Sequence, residues 1–275
     1  MRRYPTVLAI AGSDSSGGAG IQADLKTIAS LGCYGATVIT ALTAQNTEGV
    51  KSIFPVSPLF VQQQMETVLS DIVVDVVKTG MLYSAEIIEM VAATLKNFSV
   101  SSVIVDPVMI STSGDALLCK EALETLKKKL IPQASLLTPN LHEAALLLGR
   151  STAITAEEME SCARDLLSLG CQGVLLKGGH LNTKELKDVY INREGEMLVL
   201  TAKKIKTRNT HGTGCTLASA IASYKARGDA WKTAIEKAHK YVHDAINTGK
   251  RITMGKGNGP VNHSFKPKKM LKIKR

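Results

Sequence analysis

Aromatic residues are scarce in this 275-residue chain: 4% in total, with a single Trp. The apolar 44% is mostly Ala, Val, Ile and Leu, a mixture that suits a parallel sheet covered by helices better than a β-sandwich. Cysteine is sparse and unpaired. The five at 33, 119, 162, 171 and 215 form no CxxC and no Cys/His cluster, which argues against a disulfide framework and structural zinc. No apolar run reaches the roughly 18 residues that span a bilayer. The opening Met1-Arg2-Arg3-Tyr4-Pro5 enters a strand-like run without a small-residue cleavage site, so a cytoplasmic protein is expected. Acid is missing from the last ten residues. Lys266, Lys268, Lys269, Lys272, Lys274 and Arg275 there account for six of the ten net positive charges. The expectation is a solvated, partly disordered tail over 266–275; the competing reading is weak attraction to RNA or phosphate. Linkers, low-complexity stretches and repeats are also lacking, which leaves one domain over 1–265.

What is present is a rhythm of short β-branched runs and helical patterns. Thr6–Ala11 reads as a strand and Gly20–Leu31 as a helix closed by Gly32. Strand-like runs follow at Thr37–Ala44 and Ser52–Val56. Ser57-Pro58 is a cap with Pro at the first helical position, opening a helix to about Ile72. Asp75–Thr79 and Ser102–Asp106 are strands around a helix at Ser84–Asn97. Then come a helix at Lys120–Leu130, a strand at Ser135–Thr138 and a short helix from Asn140. The capping box Thr155-Ala-Glu-Glu158 opens a helix that ends before Gly170. Gly173–Lys177 is a strand, Lys187–Asn192 and Glu196–Thr201 a hairpin, and Gly214–Arg227 and Ala230–Asn247 two helices. The pattern is α/β, doubly wound, with antiparallel additions.

In such sheets ligands bind beyond the carboxyl ends of the strands. Polar residues and glycines gather at those ends. Gly12-Ser-Asp-Ser-Ser-Gly-Gly-Ala-Gly20 joins a strand to a helix and lets backbone approach a small ligand. Its Gly18-Ala-Gly20-Ile-Gln-Ala23 matches a dinucleotide fingerprint, but six residues separate it from the strand and no acid closes the next one. A mere connector is the bland alternative. Asn209-Thr-His-Gly-Thr-Gly-Cys215 opens an apolar helix, where Gly212, Thr213 and Gly214 offer amides to a transferring phosphoryl group. No Walker A motif occurs. Cys215 falls in the first helical turn, where donors and dipole favour thiolate, so a thiol poised near neutral pH is expected. The other four cysteines read as small packed residues. Asp106 and Glu143 follow strands and suit Mg²⁺ beside phosphates, Asn140 equally suits a helix cap, and Lys177 would neutralise phosphate.

Together these segments resemble the hydroxymethylpyrimidine/phosphomethylpyrimidine kinase family of thiamine biosynthesis, within the ribokinase-like superfamily. The likeness runs from Val7 to about His263. It rests on Ala9–Lys26, Thr43-Ala-Gln-Asn46, Lys78-Thr-Gly-Met81, Asp106-Pro-Val-Met109, Thr138-Pro-Asn-Leu-His-Glu143, Leu176-Lys-Gly-Gly-His180 and His211-Gly-Thr-Gly-Cys-Thr216.

The resemblance implies a three-layer α/β/α fold with a mostly parallel sheet. It also implies two ATP-dependent phosphorylations, of 4-amino-5-hydroxymethyl-2-methylpyrimidine and then of its monophosphate. Gln45 would read the pyrimidine, with Gly12, Asp24, Thr43, Met81 and Val108 around it. Cys215 would be the base and the amides of 212–215 the anion hole. Lys177, Asn140 and Thr210 would serve ATP, and Asp106 and Glu143 would serve Mg²⁺. Residues 107–115 would form a flap, and a homodimer would form around Thr37–Val56. Two departures are visible: Asn209 stands where the family usually has Asp, and the flap Ile-Ser-Thr-Ser-Gly114 lacks the usual lysine. The nearest rival is a pyridoxal kinase of the same fold, which tends to lack Gln at position 45. A nucleic-acid-binding role through the tail is the non-enzymatic rival.

Overall fold

The structure, a computed structural model, describes residues 2–109, 119–150, 155–179 and 184–274. The first half runs β1 (Arg2–Arg3), β2 (Thr6–Asp14), α1 (Gly20–Ser30), β3 (Tyr34–Gln45), β4 (Val50–Pro55), α2 (Pro58–Asp71), β5 (Val76–Thr79), α3 (Ala85–Asn97) and β6 (Val103–Val105). The second runs α4 (Lys120–Thr125), β7 (Leu136–Leu137), α5 (Leu141–Leu148), α6 (Met159–Leu167), β8 (Gly173–Lys177), β9 (Glu185–Asn192), β10 (Met197–Lys203), α7 (Thr213–Ala226), α8 (Trp231–Gly249) and β11 (Ile273–Lys274).

Among the described residues the main sheet has the order β10-β9-β8-β7-β6-β5-β2-β3-β4. The inner strands β8, β7, β6, β5, β2 and β3 are parallel, and β4, β9 and β10 are antiparallel additions. Inner strands are apolar on both faces because helices cover both. On one face α2, α3, α5 and α6 bury Val61, Met65, Ile87, Val91, Ala144 and Cys162. On the other, α1, α7 and α8 bury Ile28, Leu217, Ile221 and Ile235. This is the three-layer α/β/α architecture.

Local differences from the sequence reading have physical causes. The expected helix at Lys120–Leu130 widens to a π-turn over Leu126–Leu130 and tightens to a 3-10 turn at Ile131–Gln133, because Pro132 has no N–H to continue it. The capping box at Thr155 forms, with Glu158 Oε2 accepting the Thr155 N–H at 2.9 Å, but regular helix starts only at Met159. Cys33, Cys162 and Cys171 are buried as expected, whereas Cys119 is exposed where α4 begins.

The basic tail departs most from expectation. Residues 266–274 do not hang free. The Lys268 N–H donates to the Ser30 carbonyl at 2.8 Å and the Leu271 N–H to the Gly32 carbonyl at 2.9 Å. β11 pairs antiparallel with β1, and the Lys268 ammonium lies 5.0 Å over the Tyr224 ring. Gly32 makes room for the strap: it has φ 75°, and a Cβ there would collide with the Lys269 carbonyl oxygen. Deleting residues 266–275 removes these hydrogen bonds, worth about 1–2 kcal/mol net. A thermal melt is expected to show a Tm lower by about 2–6 °C, with kcat unchanged because the strap lies away from the carboxyl edge.

Candidate active site

The carboxyl ends of β2, β3, β6 and β8 open into a cavity of 490 Å³. It is lined by Gly12, Thr43, Gln45, Met81, Asp106, Val108, Asn140, Glu143, Lys177 and Thr210, together with Gly212, Thr213, Gly214 and Cys215. Those are the residues that the sequence nominated, save one.

Two helices begin at this point. Gly212 is the N-terminal cap of α7, with φ 79°, a conformation open to glycine at little cost. A Cβ on Gly212 would collide with the Gly18 carbonyl oxygen, and one on Gly18 with the His211 ring. The two glycine-rich segments therefore interlock, and the first turn of α7 faces the start of α1. First-turn N–H groups have no intrahelical partner, so both helix ends turn donors and positive dipole toward the cavity. The Gly20 N–H is directed at the Cys215 thiol.

The expectation of a thiol poised near neutral pH is corrected. Burial drives Cys215 up to about 11. Lys78 pulls it down, Asp24 and Asp106 push it further up, and the Gly20 amide is a smaller pull downward. The helix start helps the anion but does not offset desolvation.

Asp24 is the exception among the nominated residues. It does not line the cavity; it is fully buried beneath it. Lys78 Nζ donates to its two oxygens at 2.9 and 3.0 Å, and the Ser219 hydroxyl donates at 2.7 Å. Its role as a substrate contact gives way to one half of a buried ion pair. Ser219 lies one turn beyond Cys215 on α7, so this pair sits under the thiol.

A second pair lies at the cavity wall. Lys177 Nζ donates to Asp106 Oδ1 at 2.9 Å, and the Thr138 hydroxyl donates to the same oxygen. Burial raises the Asp106 carboxyl, but Lys177, Lys78 and Thr138 outweigh it and hold it below its ordinary range. Asn140 and Glu143 form a full capping box on α5. Asn140 Oδ1 accepts the Glu143 N–H at 2.9 Å, and Glu143 Oε2 accepts the Asn140 N–H at 2.7 Å. Both are caps and both line the cavity, so the two readings of Asn140 are compatible. Glu143 is pushed up to about 7, by burial first; Lys177 lowers it and Asp106 raises it.

One end of the cavity is a narrow slot. Met81 and Ala41 form a small apolar cluster with Val108 and Ile53. Gln45 stands at its mouth, its side-chain amide 3.1 Å from the Thr43 hydroxyl, which donates to the Ser13 carbonyl at 2.9 Å. The other end was not foreseen. Leu186 and Ala202 of the β9–β10 hairpin face His239, Val242, His243 and Ile246 of α8 across an apolar cleft. The spacing 239, 242, 243, 246 is one helical face, the one signal that the sequence held for it. Asp188 joins β9 to this end, accepting the Gly178 N–H at 2.9 Å. Asn209 does not line the cavity; its amide donates to the Gly249 and Ile252 carbonyls at 2.7 and 2.6 Å, a task that an ionised Asp cannot perform. Of the expected flap only 107–109 are described, and His180 also lies outside the described residues.

Amides converging between an aromatic-sized slot and a longer apolar cleft are what phosphoryl transfer to a small molecule requires, with a lysine and carboxylates at the seam. On this sheet that defines a ribokinase-like kinase. The family model described as phosphomethylpyrimidine kinase matches residues 14–262. The hydroxymethylpyrimidine/phosphomethylpyrimidine kinase of Escherichia coli K12 is 48% identical, covering 93% of this chain and 96% of that one. Among solved structures, a phosphomethylpyrimidine kinase from Clostridium difficile 630 is 42% identical with TM-score 0.77, covering 88% of this chain and 99% of that one. The pyridoxal kinase from Staphylococcus aureus solved with AMP-PCP and pyridoxal is 34% identical with TM-score 0.86, covering 95% and 94%. The chain belongs to the phosphomethylpyrimidine kinase family. Backbone likeness and identity rank these two structures in opposite order. The backbone is common to both acceptors, so identity and the acceptor slot carry the distinction.

Glu143 gives this site a pH signature. Its folded pKa of about 7 exceeds the unfolded 4.5, so its contribution to stability is full below 4.5 and is lost as pH rises through 7. Glu143→Gln removes that loss while keeping an oxygen for the Asn140 N–H. Urea unfolding is expected to find the variant more stable than wild type by about 1–3 kcal/mol near pH 8, with the gap closing near pH 5. A gap independent of pH would contradict the assignment.

Proposed function

We propose that the protein transfers the γ-phosphoryl of ATP to the hydroxymethyl group of 4-amino-5-hydroxymethyl-2-methylpyrimidine, and then a second phosphoryl to the resulting monophosphate in the same cavity. The observation that carries this reading is the placing of Cys215 and its amide cup between the Gln45 slot and the α8 cleft. The pyrimidine lies between Met81 and Val108. Gln45 presents its side-chain amide to the edge of the ring. The hydroxymethyl group then points at Cys215. The nucleotide base occupies the apolar cleft of Leu186, Ala202, Val242 and Ile246. Its phosphates reach Lys177 and Thr210, with Asn140 Nδ2 available because only Oδ1 is used in the cap.

In the first transfer Cys215 acts from its thiolate, the thiol proton having passed to solvent: the alcohol oxygen attacks the γ-phosphorus in line, its proton passes to the sulfur, and ADP leaves. The amides of Gly212–Cys215 and Gly20 receive the charge that develops on the phosphoryl oxygens. Asp106 and Glu143 fit a Mg²⁺ that keeps most of its waters and binds with the nucleotide. They are two carboxylates, not a cage, and no cluster of three or more ligating side chains occurs among the described residues. Bound there, the ion would neutralise phosphate charge. A reaction that consumes ATP suits the cytoplasm; among the described residues no helix is long and apolar enough to cross a membrane. The protein works as a homodimer through the β3–β4 edge, where Leu42, Phe54, Leu59 and Phe60 are exposed at 46%, 70%, 62% and 54%, an apolar patch beside β4, whose outer edge pairs with no strand among the described residues.

The two transfers differ in their need for a base. An alcohol must lose a proton; a phosphate monoester, with its second pKa about 6, is already ionised at neutral pH. Cys215→Ala is expected to lower kcat for the alcohol about 10²–10⁴-fold but kcat for the monophosphate less than about 10-fold. ADP release with each acceptor measures both, and equal losses would remove the sulfur as base. Gln45→Met replaces a donor with an apolar chain. It is expected to cut kcat/KM for the pyrimidine by about 10–100-fold, the cost of an unmet ring nitrogen, while leaving pyridoxal turnover within a few-fold. A competition assay with both acceptors reads the ratio directly.

A further inference from the structure

Two side chains at the cavity have no part in the chemistry above. Asp14 ends β2, and His211 precedes the amide cup. They are far apart in the chain, yet His211 Nε2 stands 2.8 Å from Asp14 Oδ2, and both side chains are buried. The same carboxylate oxygen accepts the Gly18 and Ala19 N–H groups at 3.0 and 2.8 Å. The other accepts the Ser16 N–H and hydroxyl at 2.8 and 2.7 Å. Burial alone would raise the Asp14 carboxyl, but these bonds, His211 foremost, hold it well below the ordinary range. Asp14 is therefore an anion that organises the whole first loop.

That loop also holds the acceptor reader. The Ser15 hydroxyl donates to the Gln45 carbonyl at 2.9 Å and accepts the Gln45 N–H at 2.9 Å. On the far side, the His211 N–H is anchored on the Gly259 carbonyl at 3.1 Å, and the next residue, Gly212, caps α7. Gln45, the first loop, Asp14, His211 and the cup form one continuous chain of contacts.

The imidazole adds a directional constraint. A ring nitrogen has one in-plane site, either a hydrogen or a lone pair. At 2.8 Å from a carboxylate, Nε2 carries the hydrogen and donates it. It then has no lone pair for Gln45, whose side-chain amide lies 3.5 Å away, and its hydrogen is committed to Asp14.

We propose that the Asp14–His211 pair is a latch joining the acceptor-reading loop to the phosphoryl cup, fixing the distance between them. His211 is a positioning residue, acting through Gln45 and Gly212. The proposal rests on the kinase reading, which wild-type turnover of the pyrimidine tests separately.

The test uses the full chain with His211→Met, which keeps bulk and loses the donor, and His211→Gln, which keeps an N–H at similar reach. Four quantities are measured: kcat, KM for the pyrimidine, ADP affinity by calorimetry, and ATP consumed per pyrimidine phosphorylated. The Met variant is expected to lose about 10–100-fold in kcat, the scale of a small misplacement of reacting groups. Its KM for the pyrimidine rises, it consumes more than one ATP per product, and its ADP affinity stays within about 3-fold. The Gln variant recovers most of kcat. A Met variant within about 2-fold of wild type, or equal losses in both variants, overturns the latch. Should the Met variant not fold, ¹⁵N NMR of the wild-type histidine rings decides: a protonated Nε2 on His211 supports the latch, and a lone pair there overturns it.

Discussion

The Gly18 carbonyl lies where residue 212 would carry a side chain, and every feature of the site follows from that close approach. It lets the start of α7 meet the start of α1, so that two sets of first-turn amides face one point. The contact joins segments that are distant in sequence but neighbours at one sheet edge, because β2 is an inner strand and α7 packs on the same face as α1. An added methyl at either glycine would separate the helices and open the cup.

Charge is then placed around that point in opposed pairs. Lys78–Asp24 lies under Cys215, and Lys177–Asp106 lies at the wall. Burying such pairs brings little or no net stability, since desolvation opposes the attraction. What they provide is fixed charge in a place that water cannot screen. The wall pair has a further property: the lysine that would hold phosphate is held by the carboxylate that would face the metal, so each partner is kept in place until its ligand arrives.

Much of this was legible in the sequence. The alternation of β-branched runs with capped helices gives the layers, and the clustering of Gly, Asp and Lys at strand ends gives the edge. Local chemistry carries those signals: Ser57-Pro58 caps α2 and Asn140 with Glu143 caps α5 in any surroundings. What was not legible depends on contacts between distant segments. Asp24 reads as a site residue until Lys78 and Ser219 are seen to enclose it. The apolar cleft unites a hairpin and a helix whose residues carry no motif. The tail reads as solvated by its charge, yet its backbone pairs with Ser30, Gly32 and β1, which side-chain composition does not encode. Asn209 reads as a departure, and its amide turns out to cap α8.

The elevated Cys215 pKa sets a condition on the base. A thiol that still carries its proton cannot take another, so the sulfur works only as the thiolate, its own proton having first passed to solvent. Lys78 and the Gly20 amide favour that anion, and desolvation opposes it. The opposition has a use: the desolvation that makes the resting thiol a poor acid makes the thiolate a stronger base than one in water. When the alcohol's proton reaches it the sulfur is neutral again, while the cup stabilises the phosphoryl oxygens, where charge develops. The base is strong but scarce, and its use depends on an alcohol held in register by the first loop.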